Sequence, residues 1–185
     1  MSITQISSGN FPQISGIYFF DANVWCYIHS PQQSKLYPNE NIIYTELLNE
    51  IKAKNGLIVV TPVLLSEYIN SRIRVYLRDY NKTLPKNAQV NYKTYRDNPA
   101  STYQRSIKIV LNEVQDILYD TCMETDIHED KIINAVSGRI LKDGKDVNDT
   151  IFMQMCEARE YTLVTHDTDY NICTANILTC NPTLT

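Results

Sequence analysis

The chain has 185 residues, 43% of them hydrophobic and 21% charged. That is the composition of one soluble globular domain with a sizeable core, and it excludes a disulfide mini-protein and a disordered tail. A formal charge of −4, from 17 Lys and Arg against 21 Asp and Glu, excludes a uniformly basic nucleic-acid coat but not a local basic patch.

Met1 to Gly16 is polar and carries no Lys or Arg, and the apolar run Ile17 to Phe20 stops at once at Asp21. A secretory signal needs a basic start and a longer apolar stretch, and no stretch approaches the roughly 20 apolar residues of a membrane span. The five cysteines form no C-x-x-C pair and mostly lie in apolar surroundings, as buried free thiols of a reducing compartment do. The expectation is a cytoplasmic protein with no membrane partner.

Four continuous runs read as buried strands of a parallel sheet: Ile17 to Phe20, Leu57 to Val60, Thr162 to Thr165 and Asn176 to Thr179. Helical periodicity fills the intervals. Ile42, Ile43, Leu47, Leu48 and Ile51 precede an Asn55-Gly56 stop, and Thr61-Pro62 supplies a cap and a first-turn proline for a helix bearing Leu64, Leu65, Tyr68, Ile69 and Ile73. Ile107 to Leu118 and Ile151 to Ala158 give two further amphipathic helices, with a shorter one on Ile132, Ile133, Val136 and Ile140. Asp79 to Ser106 has few aliphatics and reads as a long, partly ordered insertion joining two helices. Alternating strands and helices give an α/β class, a three-layer α/β/α sandwich around a mainly parallel sheet, with residues 1–185 in one domain.

In such a sheet ligands collect at the carboxyl ends of the strands, and three of the four strands carry acids there. Asp21 follows the first strand, Glu67 stands one to two turns into the helix after the second, and Asp167 and Asp169 follow the third. Asp149 opens the helix that leads into the third strand. Each has a plain alternative role. Asp21 or Asn23 can cap the next helix, Glu67 can face solvent, Asn148 or Asp149 can cap, and Asp167-Thr-Asp169 can form a turn bonded to its own backbone. Brought together without Lys or Arg, these carboxylates repel, and a hard divalent ion such as Mg²⁺ relieves that repulsion.

The order Phe-Phe-Asp21-Ala-Asn23, Ser66-Glu67-Tyr68, Asn148-Asp149-Thr-Ile-Phe-Met and Leu-Val-Thr165-His-Asp167-Thr-Asp169-Tyr170 resembles the PIN-domain ribonucleases, over about Ile17 to Pro182. The resemblance implies a metal-dependent phosphodiesterase whose acids are Asp21, Glu67, Asp149 and Asp167, with Asp146 competing for the third position and Asp169 as an accessory metal-site acid. Asn23 and Thr165 match supporting polar positions. It implies one or two Mg²⁺ or Mn²⁺ ions, with Asp21, Asp149 and Asp167 as ligands and Glu67 holding a second ion or the attacking water. His166 is expected to point away. Asn176 to Pro182 resembles the last edge strand and the end of the family's domain.

Between Tyr68 and Lys108 there are nine Lys and Arg against two Asp; the rest of the chain has eight against nineteen Asp and Glu. Arg72, Arg74, Arg78, Lys82, Lys93, Arg96 and Arg105, interleaved with Tyr92 and Tyr95, suit phosphate gripping and base stacking, so this segment is the expected RNA-binding surface. Solvated charge with locally packed tyrosines is the plain alternative. The resemblance also implies an antitoxin-like protein inhibitor, as in toxin–antitoxin pairs, and a homodimer. Two rivals stand beside the endoribonuclease. A non-catalytic PIN-like RNA-binding or scaffold module keeps the acids without turnover. A haloacid-dehalogenase-like phosphatase needs a second aspartate where Asn23 stands.

Overall fold

The computed structural model describes residues 2–13, 15–124, 138 and 146–185. The helix expected on Ile132, Ile133, Val136 and Ile140 falls outside the described residues. Six strands form one sheet: β1 (Ile3–Gln5), β2 (Ile17–Phe20), β3 (Leu57–Val60), β4 (Cys122–Met123), β5 (Thr162–Val164) and β6 (Ile177–Thr179). Their order is β1-β6-β5-β2-β3-β4, and every pairing is parallel. The architecture is a three-layer α/β/α sandwich. Because β6 is flanked by β1 as well as β5, it is an inner strand and not the edge; the polar N-terminal segment provides that edge.

The continuous apolar strands are explained by cover on both faces. Consecutive side chains of β2 point opposite ways, so Phe19 meets Phe152 at 5.1 Å between ring centroids while Phe20 meets Trp25, also at 5.1 Å. Both phenylalanines are fully buried. Trp25 belongs to α1 (Ala22–His29), and Phe152 to the helix before β5, here α7 (Val147–Arg159).

Two short-range signals act as their chemistry requires. Helix α3 (Pro38–Ala53) closes where Asn55 takes a left-handed φ of 56° and the Gly56 N–H donates to the Ile51 carbonyl at 2.8 Å. Helix α4 (Pro62–Lys82) opens on Thr61, whose hydroxyl accepts from the Leu64 N–H at 3.3 Å, with Pro62 in the first turn.

The segment read as a long loop is mostly helical. Helix α4 runs on to Lys82, a 3-10 turn covers Lys86–Ala88, α5 spans Tyr92–Asp97, and α6 spans Tyr103–Asp120. Aromatics supply what aliphatics do not. Tyr95 is fully buried, 5.1 Å from Tyr80 and 5.6 Å edge-on to Tyr103, and its hydroxyl lies 3.0 Å from those of Thr102 and Ser106. Tyrosines at loop-like spacing thus form a small core between α4, α5 and α6. Among the described residues no cysteine is in a disulfide, three of the five are buried, and no helix is long and apolar enough to cross a membrane.

Candidate functional site

The chain order β2, β3, β4 moves one way across the sheet, while β5 and β6 lie on the other side of β2, so the topology reverses between β2 and β5. A crevice opens at the carboxyl ends of strands at such a point. The β2–β5 register pairs Phe20 with Val164, which brings the next residues, Asp21 and Thr165, side by side. The Thr165 hydroxyl donates to Asp21 Oδ2 at 2.9 Å and accepts from the Asp167 N–H at 3.0 Å, tying the first and fourth acids together. The Asn23 carboxamide oxygen accepts from the His166 N–H at 3.3 Å and holds the same loop. Helix α4 follows β3 and delivers Glu67. Because α7 precedes β5 and runs back against it, its first turn, with Asp149, stands at the same edge.

The plain roles and the functional ones coexist. Asp21 caps α1, accepting from the Ala22 N–H at 2.6 Å, and Asp167 caps a 3-10 turn through the Asp169 N–H at 2.9 Å. Asp146, the competitor for the third position, is the N-cap of α7 and accepts from the Asn148 N–H at 2.9 Å. Asp149 is left to the crevice, where the buried Tyr170 hydroxyl donates to its Oδ1 at 3.0 Å. That Tyr170 contact escaped the sequence reading; its position in the Thr-Asp-Tyr turn after β5 is the signal that could have shown it.

Glu67, Asp146, Asn148, Asp149 and Asp167 line one groove of about 850 Å³. The same groove takes Asn70, Ser71, Arg74, Leu77, Arg78 and Asn81 from α4, whose polar face runs outward from Glu67. Asp21 does not line the groove; it is buried, 3% exposed, near enough to Glu67 and Asp149 to feel their charge. Asp169 is exposed at the periphery, close enough to disfavour charge on Asp149.

Electrostatics mark the centre. Burial, then the neighbouring Glu67 and Asp149 charges, push the Asp21 carboxyl up to about 8, against the Thr165 and Ala22 hydrogen bonds. Burial raises Asp149 to about 6, helped by Asp167, Asp146 and Asp169 and opposed by the Tyr170 hydroxyl. Glu67 is raised by burial and by Asp149, with Asn148 opposing. Among the described ion pairs none joins Lys or Arg to Asp21, Glu67, Asp149 or Asp167. Glu67 Oε2 is buried with no hydrogen-bond partner.

That donor set suits a hard divalent ion: oxygens only, mutually repelling, with one buried acceptor unsatisfied. As the side chains stand, no group of three or more His, Cys, Asp or Glu among the described residues is gathered closely enough to hold an ion, and an ion held there would need the carboxylates to draw inward. His166 turns away as expected. Its Nδ1 lies 3.1 Å from the Tyr44 hydroxyl and its carbonyl accepts from Asn181 Nδ2 at 2.7 Å.

The basic surface divides. Arg74 and Arg78 are exposed on the groove wall. Arg72 is not a surface cation: fully buried, it donates from Nε and Nη2 to Glu113 at 2.8 Å each and from Nη2 to Gln32 at 2.9 Å, with Tyr68 on the same carboxylate. Tyr95 is equally unavailable for stacking bases. Arg72 is buried because α4 presents that face to α6, where its charge must be paired, and Tyr95 is buried because it packs α5 against Tyr80 and Tyr103. Lys82 pairs with Asp79 and Arg96 with Asp97 at the surface, and Lys93, Arg105 and Tyr92 are exposed without lining the groove.

Neither a protein-family model nor a curated protein matches the sequence. Among solved structures the chain is similar to VapBC2 from Rickettsia felis, bound there to a DNA fragment from its promoter. The TM-score is 0.50 and the identity 16%, over 88% of this chain and 96% of that one. The fold is PIN-like. A second similar structure, PAE2754 from Pyrobaculum aerophilum, has a TM-score of 0.45 and 14% identity over 96% and 95% of the two chains. At 16% identity the likeness to VapBC2 speaks to the fold alone, and the chemistry rests on the crevice.

Proposed function

We propose that this PIN-like chain is a metal-dependent endoribonuclease that hydrolyses RNA phosphodiester bonds in the acidic groove. The observation that carries the reading is the set Asp21, Glu67, Asp149 and Asp167 at the switch of the sheet, none of them in a described ion pair, beside a groove that Arg74 and Arg78 also line. An acidic centre that must admit a polyanion needs positive charge beside it, and α4 supplies both.

Asp21, Asp149 and Asp167 would hold Mg²⁺ or Mn²⁺, with Asp169 as an outer acid. When bound, the ion supplies positive charge at the scissile phosphate and lowers the pKa of the attacking water. The chain's own groups do the rest. Thr165 and Tyr170 fix the Asp21 and Asp149 carboxylates, and Asn23 steadies the loop that carries Asp167. Glu67, with its raised carboxyl and bare Oε2, takes the proton from the attacking water. Arg74 and Arg78 hold flanking phosphates.

The test is cleavage of a mixed structured and single-stranded RNA pool by purified protein with Mg²⁺ or Mn²⁺, compared with Asp21→Asn and with chelator. Cleavage lost in both controls supports the nuclease. Absence of both cleavage and metal binding in the wild type ends it.

One observation favours a second reading, a non-catalytic RNA-binding module: the carboxylates are not yet within joint reach of one ion. Asp149→Asn that abolishes cleavage while retaining RNA separates the two. The likeness to VapBC2 is what supports an antitoxin-like protein partner. Its test is co-purification, with sedimentation reading the homodimer.

A further inference from the structure

A second, smaller pocket of about 180 Å³ adjoins the acidic groove, lined by Asn23, Cys26, Tyr27, Gln33, Tyr37 and Ser71. Ser71 lines both, one turn beyond Glu67 on α4. Asn23 links them on the other side, since its Oδ1 holds the His166 N–H between Thr165 and Asp167. Whatever occupies the small pocket therefore sits beside the carboxylates, within reach of a chain whose phosphate lies in the groove.

Its walls are built rather than incidental. Tyr27 is clamped, stacked on Tyr44 at 5.8 Å and set edge-on to His166 at 5.2 Å and to Tyr37 at 5.5 Å. Tyr37 stands 44% exposed. The two adjacent glutamines of α2 (Pro31–Leu36) differ in use. Gln32 Oε1 accepts from Arg72 and is consumed by the fold, whereas Gln33 Oε1 is closed off from solvent with no hydrogen-bond partner, so the carboxamide has to turn to present it to an occupant of the pocket that Gln33 lines. A buried acceptor left bare costs free energy that an N–H donor in the pocket would recover.

We propose that this pocket takes one unpaired nucleobase of the RNA, adjacent to the cleaved bond, between the tyrosine rings and the Gln33 carboxamide. The proposal rests on the nuclease reading and adds base selectivity to it. Two tyrosine rings and an amide are the groups that hold a splayed-out base of a single strand. The volume lies below the roughly 300 Å³ of ordinary small-molecule sites, which suits one planar ring system and not a base pair. The bare acceptor selects for an exocyclic amine, so adenine, cytosine and guanine are favoured over uracil.

The experiment has two arms. In the first, a random-sequence RNA pool is cut by the full-length protein with Mn²⁺ and the bases flanking the cut sites are counted. The ratio is read within one preparation, so a change in overall rate does not disturb it. The wild type is expected to favour amino-bearing bases over uracil at one flanking position by about tenfold, and both Gln33→Leu and Tyr37→Ala to flatten that ratio. In the second, Asp149→Asn protein is titrated with a short fluorescent oligoadenylate carrying one abasic site, moved along the strand. One position is expected to cost about tenfold in affinity, and to cost nothing when Gln33→Leu is added. Metal-dependent cleavage with no base preference, or a preference untouched by both substitutions, overturns the pocket and leaves the nuclease standing. Binding without cleavage overturns the nuclease, and the abasic scan then decides the pocket, a flat scan removing it. No RNA binding by either protein overturns both.

Discussion

Two regions of this chain take charge out of water, a short way apart along α4, and they treat it in opposite ways. At Arg72 the guanidinium is fully buried and its charge is paired: two hydrogen bonds run to Glu113 and one to Gln32, with the Tyr76 ring 5.3 Å away, although Nη1 has no hydrogen-bond partner. Burial works against that charge, and the Glu113 hydrogen bonds together with the Glu113 charge outweigh it. One and a half turns earlier, at Glu67, the neighbours are other carboxylates and one oxygen has no partner. The first arrangement joins α4 to α6. The second keeps carboxylates near one another with no described ion pair, the arrangement on which the proposed metal site rests.

The comparison breaks most sharply at the acids. Asp149→Asn or Glu67→Gln should lower metal-dependent RNA cleavage by about 10²-fold or more while leaving thermal unfolding of the metal-free protein unchanged or higher. A variant that lost activity and unfolded early would make these acids structural. Glu113→Ala should do the reverse, leaving Arg72 charged, buried and alone. Breaking such a pair costs about 3–5 kcal/mol, or roughly 6–20 °C in unfolding midpoint for a chain of this size. A midpoint moving by less than a degree would show that the pair is not what holds α4 to α6.

Acidity sharpens the same contrast. An Asp21 carboxyl of 3.8 in the unfolded chain and about 8 in the folded one retains its proton on folding between those values, so stability falls as pH rises across that window. Asp149 adds the same trend between 3.8 and about 6. The metal-free protein should therefore melt higher at pH 5 than at pH 8, and added Mn²⁺ should raise the melting temperature more at pH 8, where it meets ionised carboxylates. Equal shifts at both pH values would dissociate the ion from these acids.

Smaller effects belong to the groove wall. Arg74→Gln and Arg78→Gln should each reduce the slope of log affinity for single-stranded RNA against log salt by about 0.7. Arg96→Ala, which removes only an exposed pairing with Asp97, should leave the unfolding midpoint unchanged within error, and a clear drop would show that this pair supports the tyrosine cluster.

Much of the fold was legible because its signals are local. Ile17 to Phe20 and Leu57 to Val60 announce buried strands through unbroken apolar runs, and Thr61-Pro62 and Asn55-Gly56 punctuate helices through backbone chemistry. β1 was hidden because Ile3–Gln5 is only half covered and gains its strand character from pairing with Ile177 to Thr179 across most of the chain. The helices within Asp79 to Ser106 were hidden because their core is tyrosine and hydroxyl groups rather than aliphatic side chains.

The sequence by itself determined the alternation of strands and helices, and the acids and basic residues at the ends of those elements, since periodicity and capping act over a few residues. Tertiary structure alone decided which charges face one another. Helix periodicity sets Arg72 on the face of Leu64, Leu65, Tyr68 and Ile69 and Arg74 on the opposite one, but it names no partner for either; packing against α6 brings Glu113 to the first and leaves the second on the wall of the acidic groove. Charge is written residue by residue, but its cost depends on the dielectric and the partners around it, and those exist only once the chain has folded.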